Sequence, residues 1–86
     1  MIVLLYFDWI GSRKELNEWN ERVKEHCKDH EVNFMGIYFS MNEKWNYVSM
    51  FDTETFEKFL NLGKKVGRAP QMSHYITEIL MPQKLV

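Results

Sequence analysis

The sequence has a single cysteine, two prolines, four glycines and no excess of either charge. Because Cys27 stands alone, a disulfide within the chain is excluded, and an unpaired thiol suits a reducing compartment. Lys and Arg number 11 against 12 Asp and Glu, for a net charge of −1. Nucleic-acid-binding proteins concentrate positive charge to displace counterions from phosphates. We therefore expect no nucleic-acid partner.

Long apolar stretches are also missing. The apolar run that begins at Met1 ends at Asp8, so it is far shorter than the roughly 20 residues of a membrane span. The basic start and small-residue cleavage site of a secretory signal are not present either. We expect no membrane association and a cytoplasmic location.

The length points to one domain that needs reinforcement. A chain of 86 residues buries only about two-thirds of its unfolded surface on folding. We therefore expect a single unit over residues 1–86 whose thin core is supported by self-association or a metal ion, since no disulfide is possible.

Two segments have the pattern of amphipathic helices. Residues 13–29 follow Ser12 and Glu15, which have the spacing of a capping box, and their apolar positions recur every three or four residues. The second helix is expected to begin at a cap on Asp52 or Thr53 and to end at Gly67, before Pro70. Its apolar positions are Phe56, Phe59, Leu60 and Gly63.

Four segments are predicted to be β-strands, namely residues 2–9, 33–41, 45–51 and 73–81, the last stopped by Pro82. The order β-α-β-β-α-β is the split βαβ pattern of a ferredoxin-like α+β fold. Right-handed crossovers then give a four-stranded antiparallel sheet with the first and third strands central and both helices on one face.

The first strand is apolar on both sides, unlike a strand with one wet face. Pairing Met41 with Asn46 would put four residues of the second strand and two of the third under the helices (Met35, Ile37, Phe39, Met41, Val48 and Met50). The helix-free face would then hold Tyr38 beside Tyr47, Ser49 and Phe51. If these aromatic side chains stayed exposed to water, the protein would lose several kcal/mol of hydrophobic stabilisation, at about 25 cal/mol per Å² of apolar area. We expect two copies to pack sheet on sheet; the alternative is a monomer with an exposed apolar sheet.

The first strand, the helix from Leu16 to Cys27, the hairpin from Phe34 to Phe51 and the return strand from His74 to Leu80 together resemble the dimeric α/β-barrel superfamily. It includes antibiotic-biosynthesis monooxygenases, stress-responsive barrel proteins, muconolactone isomerase, chlorite dismutase and the effector domains of Lrp/AsnC regulators. The resemblance covers nearly the whole chain, concerns layout and matches no single family's catalytic residues. It implies a dimeric α/β barrel that hosts enzymes, ligand sensors or inert scaffolds.

His26 and His30 have the spacing of metal ligands on one helical face, with Cys27 or Glu31 as a further candidate ligand. Cys27, however, continues the apolar stripe into the core, and histidines are favoured at a helix C-terminus without any metal. We therefore predict a solvated face and no metal site. No cofactor is predicted, because the sequence has no phosphate-binding glycine loop.

His74 opens the last strand and is a candidate for a general base or, as the barrel resemblance implies, a haem ligand. A base needs a positioned partner, for which the sequence offers Asp8 or Glu78. The alternative is a histidine at the edge of a strand, without a catalytic role, whose ring nitrogens form hydrogen bonds with the backbone or with water.

The chain is rich in residues that line apolar pockets: three Trp, four Tyr, six Phe and six Met. Gly36 and Ser49 would leave room beside Tyr38. The alternative to a ligand pocket is that these aromatic and methionine side chains form only the core and the dimer interface. The candidate ligand-binding residues are Trp9, Tyr38, Tyr47, Met50, Phe56, Phe59 and His74.

Three functions fit these features. The first is a homodimeric ferredoxin-like protein that binds a small hydrophobic molecule, lipid-like or aromatic. The second is a cofactor-free monooxygenase or isomerase acting on an aromatic or polyketide substrate, with His74 moving a proton. The third is a stand-alone effector-binding regulatory module that needs a separate DNA-binding partner.

Overall fold

The computed structural model describes residues 1–81, 83 and 85. The element order is β1 (Ile2–Trp9), α1 (Arg13–Asp29), β2 (Asn33–Phe39), β3 (Tyr47–Asp52), α2 (Phe56–Val66) and β4 (Met72–Leu80). The strands form an antiparallel sheet in the order β2-β3-β1-β4. This arrangement is the ferredoxin-like fold, and it confirms the prediction that the first and third strands are central.

The start of α1 confirms the predicted capping box. The Ser12 hydroxyl accepts a hydrogen bond from the Glu15 N–H at 3.1 Å, and the Glu15 carboxylate accepts one from the Ser12 N–H at 2.9 Å. The bond to the Ser12 backbone is also the main reason that the pKa of Glu15 lies below its ordinary value. Together these bonds satisfy two N–H groups that the helix itself leaves unpaired.

The prediction for the start of α2 was wrong, because Thr55 is the cap. Its hydroxyl accepts a hydrogen bond from the Lys58 N–H at 3.3 Å. Asp52 remains in β3, where it pairs with Ile2. Thr53 is buried, and its hydroxyl donates to the Thr55 carbonyl at 3.1 Å. The strand therefore extends to Asp52, one of the two expected caps.

The hairpin prediction was wrong by one residue of register. Ile37 lies opposite Ser49, whereas pairing Met41 with Asn46 would have placed it opposite Met50. A one-residue slip moves the whole partner strand to the other face. Tyr47, Ser49 and Phe51 accordingly lie under the helices. Three residues that were predicted to lie there do not: Val48, Met50 and the fully exposed Met41. Ile37 packs under the helices as predicted.

A β-bulge between Phe34 and Gly36 changes the alternation along β2. Phe34 and Ile37 both pack against the helix-side core although three positions separate them. Gly36 has a φ of 116°, a conformation that residues with a Cβ rarely adopt. The extra residue, Met35, is 39% exposed and is not part of the covered face where it was predicted.

The ends of three strands also differ from the predictions. β2 ends at Phe39 and β3 begins at Tyr47, because the Asn42 carboxamide accepts hydrogen bonds from the Lys44 and Trp45 N–H groups and widens the hairpin loop. β4 runs one residue earlier than expected at each end. Pro82, the predicted stop, lies outside the described residues.

The core lies between the sheet and the helices. One cluster is built around Val3, Phe51 and Leu62, and includes Cys27 as the apolar stripe of α1 predicted. A second is built around Phe7 and Leu16. Leu5 and Trp19 pack against both clusters. β4 contributes little to this core, since its residues from His74 to Leu80 are exposed.

Candidate functional site: an apolar crevice beneath the second helix

An apolar crevice lies between the helices and the sheet. Its inner compartment has a volume of about 70 Å³, and the polar side chains in its lining are those of Asn20 and Ser49. Ser49 is 7% exposed and projects from the central strand β3. The apolar side chains of the lining are Leu5, Trp19, Val23, Phe34, Phe51, Phe59, Leu62 and Val66.

An outer compartment of about 220 Å³ continues the crevice towards β4. It shares Leu5, Trp19 and Phe59 with the inner compartment, so the two compartments adjoin each other. Met72, Tyr75 and Thr77 of β4 supply the far wall. Because β4 lies at the edge of the sheet, this wall is open to solvent, and Tyr75 is 50% exposed.

Two glycines of the α2 region line both compartments, Gly63 and Gly67. A Cβ built on either glycine would meet no atom within 4 Å. Glycine inside a helix costs about 0.5–1 kcal/mol relative to alanine, and Gly63 is such a residue. The crevice is therefore open partly because this helix face lacks side chains.

Arg68 and Tyr75 frame the mouth of the outer compartment. The Arg68 guanidinium donates hydrogen bonds to the carbonyl oxygens of Met72 and Ser73, and its Cζ lies 4.9 Å from the centre of the Tyr75 ring. Such cation–π contacts stabilise a side-chain position by about 0.5–1 kcal/mol at exposed sites. A positive charge is thus held at the entrance of an apolar space.

Four of the predicted ligand-binding residues lie on the helix side of the sheet: Trp9, Tyr47, Phe56 and Phe59. Only Phe59 lines the crevice. Tyr47 stacks on Phe7 with 5.4 Å between ring centres, and Phe56 stacks on Phe59 at 5.8 Å. The indole N–H of Trp9 donates to the Ser12 carbonyl at 3.1 Å. These three side chains act as packing around the crevice.

The other three predicted residues, Tyr38, Met50 and His74, lie on the opposite, helix-free face of the sheet. The structure therefore does not bring all seven candidates to one pocket. Tyr38 folds back over Gly36, and its hydroxyl donates to the Met35 carbonyl at 2.8 Å.

His74 is exposed on β4, away from the crevice. Among the described residues, neither of its expected partners forms a hydrogen bond or an ion pair with it. Asp8 accepts a hydrogen bond from the Asn46 N–H at 3.0 Å, and Glu78 is separated from His74 by Ile76 on the same strand face. A strand rises about 3.3 Å per residue, so four residues place two side chains well beyond hydrogen-bond reach.

Sequence reasoning missed Leu5, Trp19, Gly63 and Arg68 as crevice residues. Trp19 lies within the helix predicted for residues 13–29, but no ligand-binding role was predicted for it. The available signal was Gly63, which interrupts the apolar face of α2 at a position where a large side chain would otherwise reach the sheet.

The histidine pair on α1 is engaged locally. His30 Nδ1 lies 2.9 Å from the His26 carbonyl oxygen, and Cys27 is 2% exposed within the core. Burial raises the pKa of the Cys27 thiol to about 11. Across residues 1–81, 83 and 85, no three His, Cys, Asp or Glu side chains are grouped to hold a metal ion. In the same part of the chain, no helix is both long enough and apolar enough to cross a membrane.

Comparison with one solved structure supports the fold. The crystal structure of an uncharacterized NIPSNAP domain protein from Burkholderia xenovorans aligns with 100% of this chain and 98% of its own, with a TM-score of 0.54 and 11% sequence identity. 30S ribosomal protein S6 from Thermotoga maritima aligns with 90% of this chain and 82% of its own, with a TM-score of 0.43 and 16% identity. No protein-family model and no curated protein matches the sequence. The class is therefore ferredoxin-like, and the NIPSNAP domain protein shares that fold with this chain.

Proposed function

We propose that this protein is a homodimer that binds a small apolar molecule in the crevice beneath α2. The crevice itself carries the proposal. Its inner end is lined almost entirely by aliphatic and aromatic side chains, and Gly63 keeps it open at a cost in helix stability. Ligand pockets are typically concave, apolar and supplied with a few polar groups, which here include Asn20, Ser49 and Arg68.

The helix-free face of the sheet supports the homodimer. The ladder places Leu4 and Tyr6 of β1 on this face, flanked by Met50 of β3 and Ile76 of β4. Ile76 is 50% exposed and Tyr38 is 51% exposed. This face is largely apolar, although β4 also contributes His74 and Glu78 to it. A largely apolar sheet face is typical of an interface, and a second copy would bury it symmetrically.

The two parts of the proposal are spatially separate. The dimer uses one face of the sheet, while the ligand enters on the other face between α2 and β4. Dimerisation therefore leaves the mouth of the crevice accessible. The buried and unpaired Cys27 suits a reducing compartment, and the proposal places the protein in the cytoplasm.

Native mass spectrometry of protein purified without detergent tests both parts. We expect a species of twice the 10.5 kDa chain mass, with additional mass that organic extraction removes. Extracted protein is then titrated with 1-octanol by calorimetry, with Gly63→Leu as the variant that fills the crevice and Gly63→Ala as its control. Saturable binding by wild type and Gly63→Ala, and its loss in Gly63→Leu, is the expected result. Equal binding by all three, or none by wild type, would contradict the ligand site.

A further inference from the structure

Arg68 is the one charged residue among the described residues that line the outer compartment. The other polar side chains there are the hydroxyl groups of Tyr75 and Thr77. The inner compartment is lined by no charged side chain from the described part of the chain. The crevice thus has a polarity gradient, from an apolar inner end to a cationic mouth.

The Arg68 guanidinium is held in place before any ligand arrives. Nε and Nη2 donate to the Met72 carbonyl oxygen at 3.2 and 2.8 Å, and Nη2 also donates to the Ser73 carbonyl oxygen at 3.2 Å. The Tyr75 ring covers one face of the group. An arginine fixed in this way loses little conformational freedom when it binds a further group.

Within the described part of the chain, no carboxylate forms an ion pair with Arg68; Glu15 and Glu18 share with it the lining of a separate, neighbouring hollow. The hydrogen-bond acceptors of Arg68 are neutral carbonyl groups. Charge-assisted hydrogen bonds from a guanidinium to a carboxylate are among the strongest in proteins and are often bidentate. A ligand carboxylate at the mouth would supply the missing negative charge.

We propose that the ligand is an apolar molecule with one carboxylate, whose apolar part fills the inner compartment and whose carboxylate binds Arg68. This inference rests on the proposed function and names the chemical class of its ligand. Trp19 and Phe59 contact the apolar part where the two compartments join. The hydroxyl of Thr77 lies in the same lining as Arg68 and is suited to donate a second hydrogen bond to the carboxylate.

Calorimetric titration of extracted protein with octanoate and with 1-octanol tests the proposal, because the two probes differ only in the head group. Wild type is expected to bind octanoate roughly ten-fold more tightly than 1-octanol. Arg68→Gln is expected to abolish this preference by weakening octanoate binding about ten-fold. Arg22→Gln is the matched control, since Arg22 contacts the Val66 carbonyl at 3.4 Å but does not line the outer compartment.

Each outcome separates this inference from the proposed function. Equal affinity of wild type for both probes, or a preference that survives in Arg68→Gln, would overturn the carboxylate proposal while leaving an apolar site intact. Binding of neither probe by wild type would overturn both. Arg68→Lys keeps the charge and is expected to retain part of the preference, which guards against a folding defect in Arg68→Gln.

Discussion

The backbone N–H of Gly67 donates a hydrogen bond to the carbonyl oxygen of Gly63 over 2.8 Å, which closes the last turn of α2. The two glycines line the same crevice, but their backbones differ. Gly63 is helical, whereas Gly67 has φ 73° and ψ −177°, a region that is almost restricted to glycine.

Alanine substitutions at these two positions should therefore have opposite effects on stability. Gly63→Ala should raise the free energy of unfolding by about 0.5–1 kcal/mol, because a helical Cβ there meets no atom within 4 Å. Gly67→Ala should lower it by roughly 1–3 kcal/mol, because its backbone must move. Urea unfolding measures both, and a loss of stability in Gly63→Ala would mean that the crevice is closed.

Gly36 is expected to tolerate no side chain. Its φ of 116° is unfavourable for alanine, and a Cβ would lie 3.1 Å from the Tyr38 hydroxyl oxygen. Gly36→Ala should therefore cost roughly 1–3 kcal/mol in the free energy of unfolding. Tyr38→Phe, which removes only the hydroxyl bond to Met35, should cost no more than about 1 kcal/mol. If adding Tyr38→Ala to Gly36→Ala restored full stability, the bulge backbone would not be the cause.

Cys27 should react with iodoacetamide only when the protein unfolds. The thiol is 2% exposed, and burial raises its pKa to about 11, so the reactive thiolate is scarce at neutral pH. Alkylation of the native protein, monitored by mass spectrometry, should be slow and should accelerate in urea. Rapid alkylation of the native state would contradict the burial of Cys27.

The same pKa shift gives a pH dependence. Because the folded pKa lies above the ordinary value of 9.0, the stabilisation from keeping the thiol neutral is complete below about pH 9 and is lost as the pH rises through about 11. The stability difference between wild type and Cys27→Ala should shrink over that interval. If this stability difference stayed constant with pH, the pKa of the thiol would have to be the same in the folded and unfolded states, which would contradict the shift.

A charge on the helix-free face should dissociate the proposed homodimer. Ile76→Lys places an ammonium group within that face, whereas Leu60→Lys places it on α2 at a position of similar exposure, 47% against 50%. Sedimentation velocity should show monomer for Ile76→Lys and dimer for Leu60→Lys and wild type. A wild-type protein that sediments as a 10.5 kDa monomer at micromolar concentration would refute the dimer.

The order of elements was predictable from sequence because apolar periodicity and caps act locally. Ser12 with Glu15 at the start of α1, and Gly67 at the end of α2, are examples that the structure confirms. The faces of the hairpin were not predictable by alternation alone, since the loop closes with the Ser40 N–H bonded to the Asn46 carbonyl, one residue from the predicted pairing, and the bulge at Met35 adds a second shift of register.

The crevice was harder to predict for a different reason. Hydrophobic patterns record which side chains are present, while the space at Gly63 exists because a side chain is missing. Arg68 lies in the connection between α2 and β4, whereas Tyr75 lies within β4. Their contact therefore depends on how this connection leads into the strand. Neither relationship is visible as a local spacing in the chain.

The indole N–H signals of the three tryptophans give the most direct test of the crevice as a binding site. Trp19 lines both compartments, whereas Trp45 lies in the hairpin loop and Trp9 is bonded to Ser12. In ¹H–¹⁵N spectra assigned with Trp19→Phe, titration with octanoate should shift the Trp19 signal saturably and leave that of Trp45 in place. A Trp19 signal that does not move, while octanoate binds or shifts Trp45, would contradict the account.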